Sequence, residues 1–156
     1  MELEPFPIRD DFEGEVNCSS FSPDGMYLAL ARNDNCTHVY DRRMWDRGVI
    51  FEYRHGGESK AASQKDVYGV VKAQWVQSQA TRRMALVTGG EDGEAFFSLS
   101  SYLFLLTSVH LGCIRMWDPT KAAQNPENGK VLGETNSDIG YFSLGDPYAG
   151  ENQLVV

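Results

Sequence analysis

The chain has 156 residues, a formal net charge of -8 at pH 7 and three cysteines. This acidity opposes binding to nucleic acids and to anionic membranes, which both favour basic surfaces. An odd number of irregularly spaced cysteines is not a disulfide framework. The acidic N-terminus also lacks the basic and apolar regions of a secretory signal. The sequence therefore predicts a protein of the cytoplasm or nucleus, with no membrane segment and no bound nucleic acid.

The first half of the chain predicts four strands after an acidic, proline-containing segment at residues 1–14. Apolar, β-branched and aromatic residues predict these strands, and polar breaks separate them. The clearest break is Ser22-Pro23-Asp24-Gly25, which is typical of a tight turn because Pro presets φ and Gly accepts a positive φ. The predicted strands are residues 15–21, 27–31, 36–41 and 49–53.

The second half repeats this order after a polar stretch at 54–66, which we interpret as a surface loop. A glycine-rich, acidic turn is predicted at 89–93, and another turn-rich connection at 122–129. The predicted strands are residues 68–76, 84–88, 113–118 and 130–135, followed by the start of another unit at 137–143 and 152–156. The chain then stops in what we expect to be the middle of a unit, which indicates truncation.

Residues 94–112 interrupt the second unit with an apolar, aromatic sequence. Removing them joins the turn at 89–93 directly to the strand at 113–118 and restores an uninterrupted pattern. A membrane helix needs about 20 apolar residues, and this run is shorter and rich in serine. Two interpretations remain open: a hydrophobic insertion that binds a partner, and a translated retained intron, which we favour because its ends can be encoded by donor-like and acceptor-like sequences.

The motifs Phe21-Ser22-Pro23-Asp24-Gly25, Tyr40-Asp41, Gly89-Gly90-Glu91-Asp92-Gly93 and Trp117-Asp118 resemble the signatures of WD40-repeat β-propeller blades. The resemblance implies an all-β fold, an incomplete propeller of four-stranded antiparallel blades. It divides the chain into four parts. Residues 1–14 are either an N-terminal segment or the outer strand of a preceding blade, and residues 15–66 are a blade with its following loop. Residues 67–136 are a blade interrupted by the insertion at 94–112, and residues 137–156 are the truncated start of a further blade.

The family implies a structural role for several residues. WD40 blades hold together through a network of an Asp in a turn, a Ser or Thr in the second strand, a His before the first strand and the Trp of the Trp-Asp pair. In the second blade Asp92, Thr88 and Trp117 match, and Asp118 completes the pair. In the first blade Asp34 matches, and Tyr40-Asp41 replaces Trp-Asp. No histidine is assigned to either network, so both are expected to be incomplete.

Residues 28–43 resemble the box found in WD40 substrate receptors of cullin-4 ubiquitin ligases. Asp34, Val39, Tyr40, Asp41 and Arg43 fit this pattern. The resemblance implies that Arg43 lies on the propeller face and contacts the adaptor of the ligase, because arginine is often an anchor residue at protein interfaces. The second blade lacks the arginine.

The sequence carries no recognisable catalytic constellation. There is no phosphate-binding loop, no nucleophile elbow and no set of four metal ligands. We therefore expect neither catalytic residues nor a cofactor or metal, and predict a non-catalytic scaffold that binds other proteins. The alternatives are the ubiquitin-ligase substrate receptor and, from another class, an enzyme built on a propeller.

Overall fold

In a computed structural model, the described residues of the chain form two four-stranded antiparallel sheets. The structure describes residues 15–55, 68–78, 81–96, 108–125, 128–137, 139–145 and 154, with the backbone alone at 92–96 and 108–111. The first sheet contains β1 (Val16–Phe21), β2 (Tyr27–Arg32), β3 (Cys36–Asp41) and β4 (Val49–Arg54), paired in chain order. The second contains β5 (Val70–Gln77), β6 (Met84–Phe96), β7 (Ser108–Trp117) and β8 (Lys130–Thr135), in the same order.

Short turns produce this simple order because each strand pairs with the one that follows it. At the first turn Ser22 accepts a backbone hydrogen bond from Gly25 at 2.8 Å, and its own amide donates to Tyr27 at 2.9 Å. Gly25 has a φ of 69°, as the predicted tight turn requires. The connection from β3 to β4 contains a 3₁₀ turn at Trp45–Arg47, so the Trp45-Asp46 pair does not close a strand.

The two sheets pack face to face, and their facing side chains form the main core. Successive side chains of a strand point to opposite sides, so alternate residues of each sheet face the other sheet. The buried residues of this core are Ala29, Ala31, Val39 and Tyr53 from the first sheet, and Val70, Ala73, Trp75, Leu86 and Trp117 from the second.

Close backbone contact joins the sheets beside this core. Gly69, just before β5, has a φ of 61°, and a Cβ at this position would collide with the backbone of Asn33. Asn17 of β1 donates its side-chain amide to the carbonyls of Tyr68 and Val70 at 2.7 and 3.0 Å. The Trp75 indole donates to the carbonyl of Ser20 at 3.1 Å. Strands β1 and β5 are therefore neighbours across the interface between the sheets.

A third layer begins on the opposite face of the second sheet. Ile139 and Phe142 are buried there against Val87 of β6 and Ile114 of β7. The Lys72 ammonium donates to the Phe142 carbonyl at 2.6 Å. The segment predicted to begin a further unit thus packs against the second sheet, which lies between this segment and the first sheet.

The fold confirms an all-β chain of four-stranded antiparallel sheets, and it places one predicted turn inside a strand. The predicted turn at 89–93 lies inside β6, which continues to Phe96, and β7 begins at Ser108. Glu94 pairs with His110, and Phe96 with Ser108, so the ends of the 94–112 insertion lengthen a hairpin. Backbone pairing between β6 and β7 therefore decides the structure here, although the composition of residues 89–93 is typical of a turn. Several predicted segments lie outside the described residues: 1–14, most of the loop at 54–66, the middle of the insertion and, apart from Leu154, the strand expected at 152–156.

Candidate functional site

Arg43 and Asp41 form a bidentate ion pair at the end of β3. Asp41 is the last residue of the strand, and the chain turns back so that Arg43 faces it. The Arg43 guanidinium donates from Nε to Oδ1 at 3.0 Å and from Nη2 to Oδ2 at 2.7 Å. The Arg43 amide also donates to Oδ1 at 2.9 Å. The Asp41 side chain is buried, whereas that of Arg43 is 56% exposed. The pair therefore holds a guanidinium outward in one orientation.

This geometry keeps both groups charged. The side-chain and backbone hydrogen bonds from Arg43 lower the pKa of Asp41 to about 2. The same pairing raises the pKa of the Arg43 guanidinium. Behind the pair, the rings of Tyr40 and Trp45 pack at a centroid distance of 6.2 Å. Arg43, for which the sequence predicts an adaptor contact, is thus accessible at the surface and oriented by Asp41.

The turn at Ser22–Gly25 lies at the same end of the first sheet. The Ser22 hydroxyl donates to Asp24 Oδ1 at 2.6 Å, and the Met26 amide donates to the same oxygen at 3.0 Å. These two hydrogen bonds lower the pKa of Asp24, the Ser22 hydroxyl contributing most. The Asp24 carboxylate therefore has a structural partner within its own turn.

A buried network joins His55, which follows the first sheet, to Thr88 and Trp117 of the second sheet. The Trp117 indole Nε1 donates to Thr88 Oγ1 at 2.8 Å, and His55 Nε2 lies 2.7 Å from the same oxygen. The His55 ring also packs edge-on against Trp117. Thr88 is fully buried and His55 is 2% exposed. Because His55 follows β4 directly, the network fastens the end of the first sheet to β6 and β7 of the second.

His55 corrects the expectation that this network lacks a histidine. In the sequence it belongs to the polar stretch at 54–66, which gives no sign of burial. The available signal is its position: it directly follows a strand that contains the fully buried Tyr53, whose ring stacks on Trp117 at 4.9 Å. Asp92, the other expected member, belongs to β6 rather than to a turn, and its side chain lies outside the described residues.

Among the described residues, the first sheet has no hydroxyl at the position equivalent to Thr88. Leu28 pairs with Tyr40 as Leu86 pairs with Trp117, so Leu30 occupies the position of Thr88 and offers no hydroxyl. Asp34, expected to act here, instead pairs with Arg32, whose Nη2 lies 2.6 Å from Asp34 Oδ2. Tyr40 therefore replaces tryptophan at a position where β2 provides no hydroxyl as a hydrogen-bond acceptor.

Arg32 also contacts His38 on the adjacent strand. Arg32 Nη1 lies 2.6 Å from His38 Nδ1, and His38 Nε2 lies 3.4 Å from Glu52 Oε2. Burial and the nearby Arg32 charge lower the pKa of His38, although Glu52 opposes this. A neutral imidazole fits this position because its unprotonated nitrogen can accept the hydrogen bond from Arg32.

Asp118 caps a rigid turn after β7. Its Oδ1 accepts hydrogen bonds from the Thr120 amide at 2.9 Å and the Thr120 hydroxyl at 2.6 Å. Its amide donates to Asn128 Oδ1 at 2.7 Å, which ties the two ends of the β7–β8 connection together. The Thr120 hydroxyl contributes most to the lowered pKa of Asp118. The contacts of this Asp are therefore those of a turn residue.

The described residues contain no group of three or more His, Cys, Asp or Glu side chains arranged to hold a metal ion. Cys36 and Cys113 are buried, and burial raises the pKa of the Cys36 thiol to about 11. A thiol with this pKa is protonated near neutral pH and is a poor nucleophile.

Comparison of the chain with protein-family models, with curated proteins and with solved structures finds no match. Among the described residues, no helix has the length and apolar character needed to cross a membrane.

Proposed function

We propose that this chain is part of a WD40-type β-propeller and acts as a scaffold that binds other proteins. The observation that carries the proposal is the buried contact of Thr88, Trp117 and His55, which joins one four-stranded sheet to the next. It combines a Trp-Asp pair, a strand hydroxyl and a histidine before the next sheet, in the arrangement that the family resemblance implies. The three free cysteines agree with the reducing environment of the cytoplasm or nucleus.

Two further features support a propeller. Each sheet is a meander of four strands in chain order, and the first strands of the two sheets are neighbours. Residues 139–142 then pack on the free face of the second sheet, where the first strand of a third blade would lie. Propeller blades bind proteins through loops held by a rigid framework, and no chemistry at the site is required.

Proximity labelling in cells tests the scaffold proposal, with the full chain compared to its Trp117→Ala variant. This variant removes the tryptophan of the network and the ring that stacks on Tyr53. We expect a reproducible set of labelled proteins for the unaltered chain and loss of that set for the variant. Labelling no stronger than that of an unrelated protein of similar size would contradict the proposal.

A second candidate is a substrate receptor for a cullin-4 type ubiquitin ligase. Arg43 favours it, because its guanidinium is exposed and Asp41 holds it in one orientation. Orienting a side chain before binding lowers the entropy lost when it is immobilised in an interface. Here the partner is the ligase adaptor, and Arg43 is the contact residue.

Isothermal titration of the purified adaptor with the full chain tests this candidate. Arg43→Ala is expected to weaken adaptor binding by about 2 kcal/mol, the usual threshold of an anchor residue. Arg42→Ala is the matched control, because Arg42 is the adjacent exposed arginine on the same loop. Equal binding by the Arg43→Ala and Arg42→Ala variants, or no binding by the unaltered chain, would exclude the receptor role and leave the scaffold proposal in place.

A further inference from the structure

A groove of about 720 Å³ lies at one end of the second sheet. It is found where β5 and β7 end and where β6 and β8 begin. Val76, Ala85 and Met116 contribute apolar surface, and Arg83, Lys121 and Lys130 contribute cationic side chains. The three apolar residues are only partly buried, so the groove presents apolar surface to solvent between positive charges.

Hydrogen bonds fix the chain on both sides of the groove. On one side the Ser78 amide donates to the Arg83 carbonyl at 2.9 Å, and the Arg82 amide donates to the Ser78 carbonyl at 2.7 Å. This closed turn places Arg83 at the exposed edge. On the other side Asn128 holds the turn that begins at Asp118. Hydrogen bonds that already hold the described residues on both sides reduce the entropy that binding would cost.

The charge at this end of the sheets is opposite to that of the whole chain. The chain has a net charge of -8. The end of the sheets that holds the groove is formed by the ends of the odd-numbered strands and the starts of the even-numbered strands. Among the described residues there, cations outnumber carboxylates. The cations are Arg42, Arg43, Arg47, Arg82, Arg83, Lys121 and Lys130, and the carboxylates are Asp24, Asp41, Asp46 and Asp118.

Local hydrogen bonds engage most of these carboxylates. Asp24 accepts from Ser22 and Asp41 from Arg43. Asp118, the only acid among the described residues that line the groove, accepts from Thr120. Arg83 and Lys130 form no ion pair within the described part of the chain. The described lining of the groove carries three cations, Arg83, Lys121 and Lys130, against the single carboxylate of Asp118, so its net charge is positive.

The opposite end of the two sheets has the reverse balance. There the described carboxylates outnumber the cations: Glu15, Asp34, Glu52, Glu91 and Glu134 against Arg32, Arg54 and Lys72. The two ends thus differ in sign, and a charged partner approaching the molecule is steered toward one of them.

We propose that this groove binds an acidic peptide segment that carries an apolar side chain. The peptide carboxylates pair with Arg83 and Lys130, and the apolar side chain lies on Met116 and Ala85. This inference rests on the proposed scaffold function, and it identifies the chemical class of the partner.

The groove lining favours a peptide over a single-stranded nucleic acid, the other polyanion that a basic surface attracts. Base recognition on single strands uses aromatic side chains as stacking platforms. The lining residues, which all belong to the described part of the chain, include no aromatic side chain. Methionine and alanine instead suit the aliphatic or aromatic side chain of a peptide, and thioethers adapt to either shape.

Fluorescence anisotropy with the full chain tests the proposal. The probe is a fluorescein-labelled peptide in which Asp-Glu pairs alternate with leucine. Two further peptides, one with lysines in place of the acids and one with serines in place of the leucines, separate the charge contribution from the apolar one. We expect the acidic, leucine-containing peptide to bind most tightly, and its binding to weaken as salt is raised.

Charge-reversal variants locate the binding. Arg83→Glu with Lys130→Glu is expected to weaken peptide binding roughly tenfold or more, since two attractions become repulsions. The double variant Arg42→Glu, Arg54→Glu makes the same change in net charge outside the groove. We expect it to change the peptide affinity by less than about twofold.

Met116→Ala tests the apolar contact, with Met26→Ala as its control, because Met26 is exposed and outside the groove. Circular dichroism establishes that each variant is folded.

Three results would overturn the proposal: equal peptide binding by the groove variant and its control, equal binding of the lysine peptide, or tighter binding of a single-stranded oligonucleotide in the groove. The scaffold proposal is judged separately by proximity labelling. If the groove variant keeps all labelled partners and the acidic peptide does not bind, the groove inference fails and the scaffold stands. If the peptide binds and no partner is labelled in cells, the scaffold proposal fails instead.

Discussion

The single hydroxyl group of Thr88 contacts two buried neighbours. It accepts a hydrogen bond from Trp117 and shares one with His55, and all three side chains are buried. Thr37 is equally buried in the first sheet, yet its Oγ1 has no hydrogen-bond partner among the described residues. Threonine therefore occupies two buried positions with opposite effects on stability, because a buried polar group is stabilising only when it has a hydrogen-bond partner.

We predict that Thr88→Val destabilises the chain and that Thr37→Val does not. Thr88→Val leaves two buried partners without their common hydroxyl and is expected to lower the free energy of unfolding by about 2–3 kcal/mol. Thr37→Val replaces an unpaired hydroxyl by a methyl group and is expected to be neutral or slightly stabilising. Urea denaturation followed by tryptophan fluorescence measures both. Equal losses in the two variants would show that the hydrogen bonds to Thr88 contribute nothing.

Asp41 gives the second prediction at this scale, a pH dependence. Its pKa is lowered from 3.8 to about 2 in the folded chain, so the folded state prefers the ionised form. The stabilisation from the pair with Arg43 is therefore complete above 3.8 and is lost as the pH falls toward about 2. Thermal melts across this range are expected to show a smaller loss for Asp41→Asn than for the unaltered chain. Parallel pH profiles for the two proteins would contradict the prediction.

The hairpin of β6 and β7 extends beyond its sheet. β5 pairs with β6 only as far as Gly90, and β8 pairs with β7 only from Gly112 onward. The ladder between Glu94–Phe96 and Ser108–His110 therefore has no neighbouring strand on either side among the described residues. A two-stranded ribbon alone is at best marginally stable in water, so this extension adds little to the sheet.

We predict that a variant lacking residues 94–112 folds with its second sheet intact. Gly90 pairs with Cys113, so the deletion leaves only residues 91–93 to connect β6 and β7, a length common in hairpins. Gly93 then precedes Cys113, and it also lacks a Cβ, as is needed where Gly112 packs against Ser137. The melting temperature is expected to be unchanged or higher, because shortening a loop lowers the entropy lost on folding. Loss of the native tryptophan fluorescence would refute this.

At the level of elements, local sequence was sufficient to predict most strands. Residues 36–41 and 130–135 are the strands predicted, and β2 and β4 each extend one residue further than predicted. These strands join through short turns, so their signals are local. The extension of β6 to Phe96 depends instead on pairing with distant residues near Ser108, which no short window reveals. His55 was missed for the same reason, since its burial depends on Thr88 and Trp117 of the following sheet.

At the scale of the molecule, the second sheet is covered on both faces and so depends on what packs against each. The first sheet covers one face, and Ile139 and Phe142 cover part of the other. Phe142 is fully buried and lies so close to Gly89 that a Cβ there would be 2.7 Å from its ring. The sequence predicts a new unit near 137–143, and the structure adds that this segment completes the core of the previous sheet.

We predict that Phe142→Ala lowers the free energy of unfolding by about 3–5 kcal/mol, because it leaves a cavity against Val87 and Ile114. Tyr141→Ala is the matched control, since its ring is 64% exposed. It contacts the Lys72 ammonium, 3.9 Å from the ring centroid, so we expect a loss of at most about 1 kcal/mol. Urea denaturation measures both variants. Similar losses would mean that the third layer does not stabilise the second sheet.

The pairing of Gly90 with Cys113 has a consequence for how surface diversity can arise in this chain. On one side of this pair the register of β6 and β7 is set by the sheet. On the other side β5 does not continue, and β8 adds only the pair of Thr135 with Gly112. Residues can therefore be inserted or deleted there without shifting Thr88 and Trp117. A gene that includes or skips a whole number of codons at this point would produce two proteins with one core and different exteriors. The same position is a natural place to graft a reporter domain.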